Sequence, residues 1–131
     1  MYELNAERNI LQILDMRTGK NVDFILKCVD SDDHVKYKSE WMDKLMKSKN
    51  TEEMLNHKLS WGEKVIVGIS DGYFFFNKKQ ISSNKKSKHY NPAWYTLIRS
   101  KRADLILKII DHVFGEQHII IKEETRPFVQ N

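Results

Sequence analysis

Cysteine, proline and glycine are scarce in this chain of 131 residues, which holds one, two and five of them. A single cysteine, Cys28, excludes an intramolecular disulfide and a zinc site with paired thiolates, and it fits a reducing compartment. So few glycines and prolines argue against a many-turned β sandwich. Long apolar runs are missing too. No stretch approaches the roughly 20 residues of a membrane helix, and the start, MYELNAERNI, has no apolar run suited to a signal peptide. The expectation is a soluble, intracellular protein. A strong excess of one charge is also lacking: 22 basic residues face 18 acidic ones, for a net charge of +4. That excess alone does not announce a nucleic-acid partner. What is present is ordinary globular material, 40% hydrophobic and 31% charged. The length fits one domain over 1–131, large enough to bury roughly two thirds of its unfolded surface.

The periodicities divide the chain. Residues 10–30 read as a β-hairpin. Arg17-Thr18-Gly19-Lys20 makes the turn, and Val22, Phe24, Leu26 and Cys28 form one apolar face of period two. At Ser31 the period changes. Ser31 reads as an N-cap with Asp32 and Asp33 in the first turn, and Tyr37, Trp41 and Leu45 follow at helical spacing, so a helix is expected over 32–47. Ser48-Lys49-Asn50 ends it. Asn50 and Glu53 have capping-box spacing and open a second helix, 51–68, with Met54, Leu55, Leu59, Val65, Ile66 and Ile69 on its apolar side. Asn77 and Gln80 suggest another N-cap and a short helical turn, with Phe76 and Ile81 as its hydrophobic staple. Residues 78–89 carry five lysines and read as a solvated loop. Asn91-Pro92 is a helix start signal and Gly115 a stop, giving a helix over 91–114, whole or jointed near Ser100–Asp104. His118–Ile121 suits a short strand, and the tail after it a frayed end. The expected class is therefore mainly α: a small N-terminal β-hairpin followed by a bundle of about four helices, with α+β as the alternative.

Catalytic patterns do not emerge. His34, His57, His89, His112 and His118 lack metal-site spacing and read as surface histidines. Cys28 alternates with core positions and reads as a buried, inert thiol. No glycine-rich phosphate cradle precedes a helix. Acidic pairs at Asp32-Asp33 and Glu52-Glu53 are explained by helix starts. No cofactor, metal or catalytic set is expected. Met42, Met46 and Met54 lie at helical spacing and read as core, with an adaptable binding surface as the other reading. Two features point outward. SDGYFFFN, residues 70–77, sets Tyr73, Phe74, Phe75 and Phe76 in a row, and three consecutive side chains cannot all face one core. Lys78, Lys79, Lys85, Lys86 and Lys88 form a basic cluster flanked by those aromatics and by Tyr90, Trp94 and Tyr95, a combination that suits a single-stranded nucleic acid. A merely solubilising loop is the plainer explanation of the lysines.

The order of signals resembles a known family. Asp15, Thr18 and Gly19 lead into a strand; Asp30, Ser31 and Val35 then open a charged helix. Gly68, Asp71-Gly72, the aromatics Tyr73–Phe76, Asn91-Pro92-Ala93 and a last helix ending at Asp111–Phe114 complete the pattern. Over residues 10–115 this is similar to the tail assembly chaperones of long, non-contractile-tailed bacteriophages. The resemblance implies a non-enzymatic protein of the infected bacterial cytoplasm. It would self-associate, bind the tape measure protein and recruit tail tube subunits. It also implies a partner or oligomer interface at Tyr73, Phe74, Phe75, Trp94, Ile106, Ile110 and Phe114. The competing expectation is a small phage or prophage nucleic-acid-binding protein that uses the 78–88 lysines.

Overall fold

A computed structural model of the chain describes residues 8–47 and 50–115. Ser48-Lys49, expected to end the first helix, and the suggested strand at His118–Ile121 lie outside them. The described elements are β1 (Arg8–Asp15), β2 (Lys20–Lys27), α1 (Ser31–Lys47), α2 (Thr51–Val65), β3 (Ile66–Ile69), β4 (Phe75–Phe76), β5 (Lys79–Gln80), α3 (Trp94–Lys101) and α4 (Ala103–Phe114). They fall into two compact units. Among the described residues, one takes 8–29 and Glu63–Ala103; the other takes Asp30–Gly62 and 104–115.

The first unit is built on a three-stranded antiparallel sheet, order β1-β2-β3. The expected hairpin is its first half. β1 pairs with β2 from Arg8 opposite Lys27 to Asp15 opposite Lys20, and Val22, Phe24 and Leu26 are buried as their period requires. Gly19 takes φ 71° in the turn, where its N–H reaches the Asp15 carbonyl at 2.8 Å. A residue with a β-carbon is disfavoured there. Cys28 lies just past the end of β2. It is half-buried rather than buried, and its sulfur accepts from Asn9 Nδ2 at 3.1 Å.

The third strand overturns the mainly-α expectation. The second helix stops at Val65, and the next residues pair with β2, Phe24 opposite Ile69 and Ile25 opposite Gly68. Val65-Ile66-Val67 is a β-branched run, stiff at χ1 and better suited to a pleated strand than to a helix interior. A second correction follows at Asn77. It caps no helix. Asn77 and Lys78 take φ 51° and 66° between β4 and β5, which pair as a two-residue hairpin. Positive φ at both central residues is the type I′ geometry that matches strand twist. With four helices, one three-stranded sheet and one two-stranded sheet among the described residues, the fold is α+β, the alternative set beside the mainly-α expectation.

The second unit holds α1, most of α2 and nearly all of α4. The cap of α1 is Asp30 rather than Ser31. Asp30 Oδ1 accepts the Asp33 N–H at 2.9 Å, and Asp33 Oδ2 accepts the Asp30 N–H at 3.3 Å, a reciprocal pairing that satisfies two otherwise orphaned donors. Asn50 caps α2 as its spacing suggests, accepting from the N–H groups of Glu52 and Glu53 at 2.8 and 3.2 Å. The helix expected over 91–114 starts only at Trp94, after a turn at Asn91-Pro92-Ala93, and its joint falls at Arg102, whose φ of −139° ends α3 before α4 begins. Gly115, at φ 68°, closes α4 by returning its N–H to the Asp111 carbonyl.

Candidate interaction surfaces

In the first unit the aromatic run separates by what each ring touches. Phe74 is core: its ring lies 5.9 Å from Phe24, and its carbonyl accepts the N–H of buried Ile81 at 3.0 Å. Tyr73 is half-buried, and its hydroxyl donates to Asp15 Oδ2 at 2.7 Å. Since the phenol proton is committed there, Thr18 Oγ1, also at 2.7 Å, donates to the phenol oxygen. The next two rings project from the hairpin, Phe75 58% exposed and Phe76 36%. Anchoring at Phe74 and Ile81 and the tight turn at Asn77-Lys78 leave these rings no core to enter.

Asp15 organises the base of this region. It is fully buried, and Arg102 grips it with both guanidinium nitrogens, at 2.9 and 2.7 Å. The Tyr73 hydroxyl and the Arg17 N–H supply two further bonds. The Arg102 hydrogen bonds, then that of Tyr73, hold the Asp15 carboxyl far below the usual carboxylate range. Burial first, and then its bond to Asp15, push the Tyr73 phenol up. This ion pair joins residues 87 apart, and no local pattern announces it.

Two clefts meet at Phe75. One, of about 720 Å³, is lined by Phe75, Phe76, Lys78, Lys79, Lys88, His89 and Tyr90 among others. The other, of about 670 Å³, is lined by Phe75 together with Arg17, Lys20, Lys101, Arg102 and the Asp15 cluster. The lysine loop is held rather than loose. Buried Ser82 donates to Asp71 at 2.8 Å, and its N–H and carbonyl bond to His89 and Asn91 at the far end of the loop. Of the five lysines expected to act together, Lys78, Lys79 and Lys88 line the first cleft. Lys85 lines a separate cleft with Arg8 and Asp71, and Lys86 is simply exposed. Trp94 is half-buried and meets Tyr95 edge-on at 5.9 Å. Burial, opposed by Arg99 and helped by Glu63, pushes the Tyr95 phenol up to about 12.

In the second unit the expected helical interface is core instead. Ile106, Ile110 and Phe114 are all buried. Phe114 stacks on Tyr37 at 4.0 Å and meets Trp61 edge-on at 5.5 Å. His57 is buried in the same cluster, 4.9 Å from the Tyr37 ring, and so is not a surface histidine. Met54 is core as expected, but Met42 and Met46 are not. Val35, Met42 and Met46 are 68%, 51% and 77% exposed. At about 100° per residue they lie within ~40° of one another around α1, on the side opposite buried Tyr37. Tyr37, Trp61 and Phe114 fill the apolar face of this unit, and α1 is left with a second apolar stripe. The signal was legible as the i, i+7, i+11 spacing of 35, 42 and 46.

No family model, no curated protein and no solved structure matches the chain. Among the described residues, no helix is long and apolar enough to cross a membrane.

Proposed function

We propose that the chain is an assembly factor of the tail-assembly-chaperone kind that its sequence resembles, and that it engages a helical segment of the tape measure protein along α1. The exposed stripe of Val35, Met42 and Met46 carries this reading. The stripe runs about 16 Å along the helix, long enough for two turns of a partner helix to lay i, i+4 and i+7 anchors against it. Methionine suits a client whose surface varies along its length, because its unbranched, polarisable side chain repacks readily. Self-association and recruitment of tail tube subunits, in the cytoplasm of the bacterial host, belong to the same reading. Of the interface that the resemblance implies, Phe74, Ile106, Ile110 and Phe114 are buried, so they lie outside this docking surface.

The test is co-expression with the tape measure protein of the same phage or prophage and measurement of how much of it stays soluble and co-purifies. The double variant Met42→Glu with Met46→Glu should keep its circular dichroism and lose at least tenfold of the captured protein. Capture equal to wild type would remove the stripe as the docking site. No capture by the wild-type chain would remove the chaperone reading itself.

A further inference from the structure

We infer that the two clefts meeting at Phe75 form one binding track for single-stranded nucleic acid. The inference stands apart from the proposed assembly role: different residues, in the other unit, carry it. The first observation is charge. Arg17, Lys20 and Lys101 line one cleft, and Lys78, Lys79 and Lys88 the other. Among the described residues, none of these six makes an ion pair with a carboxylate. The first cleft has no acidic residue in its lining, and in the second the one carboxylate, Asp15, is already neutralised by Arg102. Six unmatched cations exceed the net charge of +4 of the whole chain, so the rest of the molecule is net negative. These six cations gather around Phe75 with no unneutralised carboxylate in the linings, the local basic patch that a polyanion site requires.

The second observation selects the polyanion. Phe75 belongs to both clefts and is more than half exposed, with Phe76 and half-buried Tyr90 beside it. A single strand offers phosphates to the cations and unstacked base faces to the rings, so one ligand satisfies both. A duplex keeps its bases stacked and leaves the rings unused. An acidic polypeptide answers the charges but has no regular supply of π faces.

Phe75 and the cations on its two sides bind the strand. Lys85, in another cleft, and Lys86, which lines neither of the two, do not. The test is fluorescence anisotropy of the full chain with a labelled oligothymidylate of about 20 nucleotides, a length that exceeds ordinary single-strand site sizes. If all six cations contact phosphate, log K should fall against log salt with a slope near −4, from about −0.7 per neutralised phosphate. Phe75→Ser should weaken binding about 5- to 150-fold. Lys20→Gln with Lys101→Gln should weaken it and make the slope shallower by about 1.4. Lys85→Gln with Lys86→Gln should change neither, although it removes the same charge. Any of four results would overturn the inference: no binding at about 50 mM salt, binding insensitive to Phe75→Ser, equal losses from the two lysine pairs, or binding of polyglutamate or duplex as tight as that of the single strand. Phe75 and the four lysines are exposed side chains, so the melting curves of these variants should overlay the wild type.

Discussion

Replacing Arg102 by methionine keeps most of the aliphatic volume and removes the guanidinium that holds Asp15. In the native fold the carboxylate is fully buried and takes two charge-assisted bonds from that group, at 2.7 and 2.9 Å. After the change only the Tyr73 hydroxyl and the Arg17 N–H remain. Removing one partner of a buried ion pair typically costs about 3–5 kcal/mol, because the survivor keeps its desolvation penalty. The Arg102 side chain is 16% exposed, so water can reach part of the gap and the lower end, about 3 kcal/mol, is expected. Urea unfolding followed by circular dichroism measures it. The pH dependence gives a second readout. The Asp15 carboxyl is depressed in the folded state, so its stabilisation is present above the unfolded value of about 3.9 and is lost as pH falls below it, when the unfolded chain takes up the proton first. Arg102→Met should flatten or reverse that acid limb, since the carboxylate is then buried with weaker support. Asp15→Leu combined with Arg102→Met should recover much of the loss, as apolar replacements of buried pairs do. A loss under about 1 kcal/mol, with an unchanged acid limb, would refute the claim that this pair anchors the sheet turn to the end of α3.

The other predictions concern single positions. Lys78→Gly relieves a left-handed backbone at φ 66°; against the entropy that glycine costs, a net gain of about 0.5–1 kcal/mol in urea unfolding is expected. Phe114→Ala removes a buried ring stacked at 4.0 Å on Tyr37 and should cost about 3–5 kcal/mol by the same assay. Tyr95, with its phenol pushed up to about 12, should contribute stability that is complete below pH ~10 and lost as pH rises from there to about 12. Alkaline unfolding of Tyr95→Phe should lack that loss, of at most about 2–3 kcal/mol.

Much of the fold is legible in the sequence wherever one period dominates. Val22, Phe24 and Leu26 alternate cleanly and are buried together, and the Asn50 cap and the Gly115 stop stand where their chemistry places them. Legibility fails where a segment is apolar throughout. Val65–Ile69 continues the helical face of α2 as well as it fills a strand, and only the pairing with β2 decides. The last helix is apolar on flanking faces, so the sequence does not say that Ile106, Ile110 and Phe114 turn inward. The proposed binding track is legible in part. Phe75 and the lysines of the hairpin are visible as a run. Arg17, Lys20 and Lys101 join them only through the packing of the β1–β2 turn and the end of α3 near Phe75, which no spacing encodes.

Hydrogen exchange of the full chain, alone and mixed with the tape measure protein, tests the proposed docking surface most directly. Slower exchange in the peptides spanning Val35–Met46 on binding, with little change at 73–81, is the expected result. Protection confined to the β4–β5 hairpin, or to no part of α1, would contradict it.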